Sequence, residues 1–440
     1  MNSEISRLVD EIKAQGYRKI CFSIPAFNVG GGTFYLCELA KYLVENSDLE
    51  VYYIDFKDGY PSQLLEGSGV KILEYNKDDI DFPITEPCIF VTNSTRVIQV
   101  KHMNPASKLL FWHYETVPCA WDKVLIRNET RAFLELCKQE KAMVFHDWSS
   151  RNIFMQQYGI DFTEQKYLYM FLTPKPRLNE RLGMIHPGEI NLLWLGRAGT
   201  EKVQSIYTII RCYAAYKTKK KKIMHIVGDG IRIAELKKYA KGFEKQIKFV
   251  FTGTIGKEEL DEYLMNHADV SFAMGLSAVE SAALKIPSVV VQLDTKPIKD
   301  DEFYWIFDTR EYCMGILPSQ KKDFEVQFTK FNDIMDEIVV RKGKQQMAIK
   351  SYAFYKEYLS DYDDIVEKFL TYISETTLTA EKLEKCIGFM PYENIRLKRK
   401  KFLRKILSEN IEFNGKRYKY NDHGKLVSEK EVRNSGEAQK

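Results

Sequence analysis

The sequence lacks the segments that mark secreted or membrane-spanning proteins. Within its 440 residues, no apolar run approaches the ~18 to 20 residues that a helix needs to cross a bilayer. The first residues, MNSEISRLVDEIKAQGYRK, have the charges of a surface helix where a signal peptide has an apolar segment. The eight cysteines are scattered and form no CxxC pair, which is typical of reduced thiols. We therefore expect a cytoplasmic chain.

The chain also lacks a large excess of charge of either sign. Its 65 basic and 61 acidic side chains leave a net charge of +4, which gives no reason to expect a nucleic-acid partner. Hydrophobic residues make up 45% of the chain and charged residues 29%, as in ordinary globular proteins. The length predicts two or three domains with sizeable cores.

Strands and helices alternate through the first 160 or so residues. The predicted strands are 19–24, 50–55, 70–73, 88–92, 108–112 and 142–145, and the predicted helices are 33–43, 125–139 and 149–158. This alternation predicts a parallel sheet covered by helices on both faces. Residues 172–189 contain three prolines and little periodicity, so they are predicted to be a linker.

A second α/β series follows the linker. Its predicted strands are 190–195, 222–227, 247–252, 270–272 and 288–291, and its predicted helices are 202–216, 231–240 and 257–266. Two further helices are predicted at 333–341 and 345–374, the second long and rich in tyrosine. The sequence thus has an α/β fold with two parallel sheets.

A glycine-rich loop, Gly30-Gly31-Gly32, lies between the first predicted strand and its helix. Free backbone N–H groups and the helix dipole make such a loop a natural anion site. The loop is neither GxGxxG nor a P-loop, because no GK[ST] follows it. The alternative interpretation is a simple strand-to-helix connector.

Three consecutive strands of the second series also end in glycine turns. These are Gly196 to Lys202, Gly228 to Gly230, and Gly275-Leu276-Ser277, the last followed by Glu280. Arg197 and Lys202 can both face one anion beyond the sheet edge. The planar guanidinium of an arginine together with the compact ammonium of a lysine suits a diphosphate. Glu280 is a suitable acceptor for a pair of ribose hydroxyls. The alternatives are a surface ion pair for the two cations and a helix-capping role for Glu280.

This ordered series resembles the GT-B glycosyltransferases. It is most similar to family 4. That retaining group includes bacterial capsule and lipopolysaccharide enzymes of polysaccharide biosynthesis. The motifs that carry the resemblance are, in order, GR…EK, VGDG, FTGTI…EEL and a turn with Glu280 before a Pro-bounded strand. The resemblance covers roughly residues 18–374 and is strongest from 190 to 292.

The resemblance implies a role for each matching residue. Arg197 and Lys202 would neutralise the diphosphate of a nucleotide-sugar donor, and Glu280, the second glutamate of an E-x7-E motif, would hold the ribose. Two further groups of residues would contribute to the donor site. They are the turn glycines with their neighbours (Gly31, Gly32, Gly228, Gly275, Leu276, Ser277) and His113, the counterpart of a donor-sugar histidine. His113, Arg197 and Lys202 would therefore be the catalytic residues.

The sequence departs from the family at one position. The first glutamate of E-x7-E falls at Phe272, which leaves open both the donor sugar and the retention of configuration. No metal is expected, because two cations and backbone dipoles can stabilise the departing diphosphate. Asp79-Ile80-Asp81 imitates a metal-binding DxD but is interpreted as surface loop. Glu115 and Asp147, the latter preceded by His146, are candidate bases.

The resemblance implies a GT-B enzyme without cofactor that transfers a sugar from a nucleotide-sugar, UDP-linked, to a growing glycan or lipid-linked acceptor. Its domains would be an acceptor domain (1–180), a donor domain (181–350), a helix packing back across both (351–376) and a basic extension (377–440). One alternative is a catalytically silent subunit that binds a glycan or a partner protein, which Phe272 favours. Another is a sugar-nucleotide epimerase or a phosphorylase.

The extension contains a basic amphipathic stretch from Ile395 to Leu407, IRLKRKKFLRKIL. Such a helix can lie on an anionic membrane surface, where lipid-linked acceptors reside, so a peripheral membrane location is one interpretation. A solvated helix packed on the protein is the other. The later segment IEFNGKRYKY predicts a hairpin with its turn at Asn414-Gly415.

Overall fold

The computed structural model describes most of the chain. The described residues are 3–27, 30–75, 82–94, 102–114, 127–172, 174–175, 178, 183–387, 411–413, 416–420 and 426–428. The chain divides into two compact units, residues 1–383 and 384–440. None of the helices within the described ranges has the length and apolarity of a bilayer span.

The first sheet has six parallel strands in the order β3-β2-β1-β4-β5-β6. Its strands are β1 (Lys19–Ser23), β2 (Glu50–Asp55), β3 (Lys71–Glu74), β4 (Ile89–Asn93), β5 (Lys108–His113) and β6 (Met143–Phe145). Its helices are α1 (Ser3–Ala14), α2 (Gly31–Asn46), α3 (Tyr60–Leu64), α4 (Arg127–Gln139) and α5 (Trp148–Tyr158). Strands β4 and β5 are buried throughout, as strands covered on both faces must be. The prediction of a parallel α/β sheet is confirmed.

The second sheet has seven strands in the order β13-β12-β11-β10-β7-β8-β9. The strands are β7 (Glu189–Leu195), β8 (Lys221–Val227), β9 (Lys248–Gly253), β10 (Val270–Ala273), β11 (Ser288–Val290), β12 (Glu302–Trp305) and β13 (Thr329–Lys330). The first five are parallel, as predicted, and β12 and β13 add an antiparallel edge that the sequence did not predict.

The helices of this half connect the strands and then continue toward the C-terminus. They are α6 (Val203–Ala215), α7 (Ile233–Ala240), α8 (Lys257–His267), α9 (Leu276–Ala283), α10 (Phe331–Val339), α11 (Lys344–Tyr358), α12 (Tyr362–Glu375) and α13 (Ala380–Ile387). Short 3-10 turns occupy Lys241–Phe243, Ile306–Asp308 and Pro318–Gln320.

The single long helix predicted for residues 345–374 is wrong. Two helices occupy this stretch, because Asp361 has an extended backbone and its carboxylate accepts a hydrogen bond from the Asp364 N–H, which caps a new helix. Helix α11 packs on α9 of the second sheet, whereas α12 packs on α1 of the first. The predicted domain limits at 180, 350 and 376 remain predictions.

The unit from residue 384 onward contains a small antiparallel sheet. Its strands are β14 (Ile411–Phe413), β15 (Lys416–Tyr420) and β16 (Leu426–Ser428), and β14 pairs with β15 as the predicted hairpin requires. The turn Asn414-Gly415 and the basic stretch from Ile395 to Leu407 lie outside the described residues.

Candidate functional site

The three glycine turns of the second half lie side by side. Strands β10, β7 and β8 are neighbours in the sheet, so their carboxyl ends meet at one edge, where ligands of parallel α/β sheets bind. The Gly196 N–H donates to the Val227 carbonyl at 2.9 Å. Ser277 Oγ lies 3.9 Å from the point where a Cβ on Gly196 would stand. The structure thus brings together turns that are about 80 residues apart in sequence.

Two of these turns are in direct backbone contact, which only glycine permits. A Cβ on Gly228, where φ is +124°, would lie 2.8 Å from the carbonyl carbon of Gly196. A Cβ on Gly230 would lie 2.6 Å from the Ala198 carbonyl oxygen. Hydrogen bonds between Ala198 N–H and the Asp229 carbonyl (2.9 Å) complete the contact. The two turns therefore form one rigid backbone surface.

The third turn presents the start of a helix. Gly275, at φ +58°, precedes the first residue of α9, Leu276, and its N–H donates to the Met314 carbonyl at 2.7 Å. The first N–H groups of a helix have no intrahelical acceptor and carry the positive end of its dipole. Leu276 and Ser277 therefore offer backbone donors at the edge where Arg197 and Lys202 lie.

Arg197 and Lys202 form a pair of neighbouring cations, and the carboxylate of Glu201 acts on Lys202 from a distance. Arg197 is exposed and Lys202 is partly buried at the start of α6. Neither side chain has a hydrogen-bond or ion-pair partner within the described part of the chain. Burial, assisted by the nearby guanidinium of Arg197, lowers the pKa of Lys202 below its usual range. Two close cations with only one carboxylate, Glu201, acting on them make a site suited to an anionic ligand.

Glu280 lies on α9 and acts electrostatically on Tyr60 of the first half. Its side chain is partly buried. Burial raises the pKa of Tyr60, on α3, to about 12, and electrostatic interactions with Cys37 and Glu280 contribute to that rise. Glu280 is therefore close to both halves.

The first glycine loop meets the third turn across the two halves. A Cβ on Gly31 would lie 3.8 Å from Leu276 Cβ and 3.5 Å from Met170 Cε. A Cβ on Gly32 would lie 2.9 Å from the Tyr114 ring. The structure thus places Gly31 against the third turn, whereas Gly32 packs against Tyr114 of its own half. Their donor-binding role stays a prediction.

His113 is placed differently from a side chain that reaches into an open cleft. It is fully buried at the end of β5, its Nδ1 lies 2.9 Å from Ser94 Oγ, and its ring packs on Phe154 at 4.6 Å between centroids. Its role as a donor-sugar histidine stays a prediction.

Of the two candidate bases, Asp147 is described by the structure and Glu115 is not. Asp147 is buried as the N-cap of α5, where it accepts from the Ser150 N–H at 2.8 Å, and burial raises its pKa. These contacts account for Asp147 as the residue that caps the start of α5. Glu115 lies outside the described residues, as does the Asp79-Ile80-Asp81 segment.

Phe272 belongs to the core of the second half. It is fully buried on β10, and its ring packs on Phe303 and Phe331 at 5.2 and 5.4 Å between centroids. A carboxylate in this apolar environment would carry a large desolvation cost. The position of the missing first glutamate is therefore filled by packing.

Sequence reasoning missed one contributor to the site, Met314. Met314 accepts the Gly275 N–H, and its own N–H donates to the buried Asp147 carboxylate. This residue therefore connects the third turn to α5 of the first half. The only sequence signal was the following Gly315, which has φ +150°. Among the described residues, no group of three His, Cys, Asp or Glu side chains could hold a metal ion.

Solved structures share this architecture, although no protein-family model and no curated protein matches the sequence. Anabaena HepE, in complex with UDP and glucose, has a TM-score of 0.53 and 13% identity over 81% of this chain and 100% of its own. A Rickettsia africae glycosyltransferase has a TM-score of 0.53 and 13% identity over 82% and 98%. The lipopolysaccharide outer core galactosyltransferase WaaB has a TM-score of 0.51 and 12% identity over 81% and 98%.

These similarities show the GT-B fold, in which two parallel α/β sheets face each other. At this level of identity they show the fold alone. Membership of family 4 stays a prediction.

Proposed function

We propose that this GT-B chain is a glycosyltransferase that transfers a sugar from a UDP-linked donor to a growing glycan or lipid-linked acceptor. The observation that carries the proposal is the pair of cations, Arg197 and Lys202, beside three converging backbone turns. Neither cation has an ion-pair or hydrogen-bond contact among the described residues. The structural relatives support UDP in particular, since HepE was solved with UDP and with UDP-glucose.

The chemistry of the proposed reaction matches the groups at this edge. Breaking the sugar–phosphate bond moves an electron pair onto the departing diphosphate, while the sugar becomes oxocarbenium-like. The acceptor hydroxyl forms the new bond to the anomeric carbon, and its proton passes to the departing diphosphate. Arg197, Lys202 and the N–H groups at the start of α9 would stabilise that negative charge without a metal. Glu280 would accept hydrogen bonds from the ribose hydroxyls. Removal of one such preorganised group typically costs ~3 to 4 kcal/mol of transition-state stabilisation.

The retention of configuration belongs to the proposal as well. The family resemblance favours retention, and Phe272 makes a direct carboxylate contact to the donor sugar at that position impossible. The donor sugar must therefore be held by other groups, of which backbone donors of residues 275–277 are the nearest candidates. Anomeric analysis of the product by NMR would decide between retention and inversion.

Nucleotide binding provides the primary test. We expect UDP to raise the melting temperature of the chain more than GDP or TDP does, because a ligand that binds only the native state stabilises it. Arg197→Ala and Lys202→Ala should each abolish this shift and lower turnover more than about tenfold while the fold survives. The control is Lys245→Ala, an exposed lysine of the same half, which should behave as wild type. Wild-type responses in both cation variants would remove the diphosphate assignment.

A silent GT-B subunit is the second candidate, and Phe272 is the observation that favours it. Such a subunit would bind a nucleotide-sugar or glycan without transferring or hydrolysing it. An epimerase would instead convert the nucleotide-sugar without any acceptor. Incubation with a panel of UDP-sugars, followed by chromatography of the products, separates the three.

We further propose a cytoplasmic location with peripheral attachment to an anionic membrane through Ile395 to Leu407, IRLKRKKFLRKIL. The density of basic and apolar residues in this stretch supports the proposal. Co-sedimentation with liposomes should rise with the content of anionic lipid. Equal recovery with neutral and anionic liposomes would remove the membrane assignment.

A further inference from the structure

An aromatic stack stands at the carboxyl edge of the first sheet. Phe27 is 65% exposed, which makes it the most exposed aromatic side chain in the described ranges. One face of its ring stacks on Phe56, with 4.5 Å between centroids and 5° between planes. Tyr75 contacts the edge of Phe56 at 5.4 Å. We name Phe27, Phe56 and Tyr75 the aromatic platform.

A buried carboxylate holds the platform in place. Asp55 is fully buried at the end of β2 and accepts hydrogen bonds from the Ala26 N–H (3.0 Å) and from the Ser62 N–H and hydroxyl (2.9 Å each). Ala26 precedes Phe27 and Asp55 precedes Phe56, so one side chain fixes both loops. The platform is therefore preorganised, and a ligand need not order it.

The platform borders the site proposed for the donor. Ala26, the residue before Phe27, accepts a hydrogen bond from the Tyr60 N–H at 2.7 Å. Tyr60 in turn interacts electrostatically with Glu280, which lies on α9 of the opposite half. Phe27 is thus connected, through Ala26 and Tyr60, to a side chain on which the carboxylate assigned to the donor ribose acts electrostatically.

The surroundings of the platform are polar. Lys57 and Asp58 are exposed in the turn that follows Phe56, and neither side chain has a hydrogen-bond partner within the described ranges. Asp58 has φ +58°, a conformation that aspartate tolerates better than most residues. A flat apolar ring bordered by charged groups matches a pyranose, which has an apolar C–H face and a rim of hydroxyls. A lipid chain or an apolar protein surface that covered the ring would also displace water from these charges and supply no hydrogen bonds in its place.

We infer that the aromatic platform binds a sugar ring of the acceptor, with the pyranose face stacked on Phe27 and its hydroxyls bonded to Lys57 and Asp58. This inference rests on the proposed function. It assigns the acceptor class to a carbohydrate whose terminal ring is recognised by stacking.

Ligand-observed NMR on the full chain tests the inference. The probes are the methyl glycosides of glucose, galactose, mannose and N-acetylglucosamine, each added with saturating UDP. Saturation transfer should reach the ring protons of at least one glycoside. Phe27→Ala should raise the dissociation constant of that glycoside at least about fivefold, because the stacking surface is lost, whereas Phe27→Trp should retain binding. The control Val340→Ala removes an exposed apolar side chain of the second half, 66% exposed, and should change nothing.

The possible outcomes are distinct. Failure of all four glycosides to bind the wild-type chain, or equal binding by wild type and Phe27→Ala, would overturn the inference. With n-octyl β-glucoside, saturation of the octyl chain in place of the ring would show an apolar occupant and also overturn it. If glycoside binding fails while UDP still raises the melting temperature of Phe27→Ala as it does for wild type, the donor site is intact and only the platform assignment is wrong. Conversely, loss of the UDP shift with Phe27-dependent glycoside binding would refute the transferase and keep the platform.

Discussion

The carboxyl edges of the two sheets are built by different means. At the second edge, turns pack backbone against backbone, with Gly228 and Gly230 against residues 196–198. At the first edge, buried side chains tie the loops together, with Asp55 binding Ala26 and Ser62. A backbone-built edge presents N–H groups to an anion, whereas an edge held by side chains presents chosen side chains such as Phe27. The difference suits a diphosphate on one side and a sugar ring on the other.

The largest effect should follow from adding one methyl group to the backbone-built edge. Gly228→Ala forces a side chain at φ +124° toward the Gly196 carbonyl, and such strain with overpacking should lower the free energy of unfolding by about 4 kcal/mol. Urea denaturation measures the change. Gly242→Ala is the control, because nothing lies within 4 Å of a Cβ there. Equal losses in the two variants would show that the close contact is not what makes this edge.

A smaller loss is expected from the edge held by side chains. Asp55→Ala leaves the Ala26 and Ser62 N–H groups without their acceptor, which should lower the free energy of unfolding by about 3 kcal/mol. The control Asp58→Asn changes a neighbouring exposed carboxylate and keeps the left-handed backbone, so its stability should match wild type. If the two variants unfold at the same urea concentration, Asp55 does not hold the edge.

The smallest expected effect is a slight gain in folding stability, from Lys202→Met at pH 7. The folded state lowers the pKa of Lys202, so the unfolded chain binds more protons, and wild-type stability rises with pH from the folded pKa toward the unfolded value of about 10.4. Below that window the unpaired cation is destabilising. Lys202→Met should therefore be slightly more stable than wild type at pH 7 and lose this advantage near pH 10, while UDP no longer stabilises it.

Urea midpoints at the two pH values, with and without UDP, measure both parts of this prediction. Lys245→Met serves as the control at an exposed site. A Lys202→Met chain that is less stable than wild type at pH 7 would mean that Lys202 stabilises the empty protein, contrary to a role in binding an anion.

The backbone-built edge could be predicted from the sequence because its signals are local. Each glycine turn follows an apolar strand, and neighbouring parallel strands bring such turns together. The turns at Gly196, Gly228 and Gly275 were therefore grouped correctly. The alternation of strands and helices likewise predicted both parallel sheets.

The other edge could not be predicted, because its determinants are contacts between distant residues. Nothing near Asp55 indicates that its carboxylate will bind Ala26, and nothing near His113 indicates that its ring will be buried against Phe154. The helix break at Asp361 was missed because one polar residue inside a periodic pattern has the same appearance whether or not it caps a helix. The antiparallel strand β12 was missed because its pairing with β11 follows a connection of residues 291–301, which is longer than the short loop of a hairpin.

That helix break has a mechanical consequence. The chain leaves the first sheet after Leu172 and returns to it after Leu359, and these crossings are bonded to each other: the Leu172 N–H donates to the Leu359 carbonyl at 3.0 Å. The Tyr355 hydroxyl donates to the Leu172 carbonyl at 2.8 Å. A rotation of one sheet against the other that keeps these bonds has its pivot here, and displacements grow with distance from it. Such a rotation would separate Gly31 from Leu276, which are in contact in this structure, while both connections stay intact.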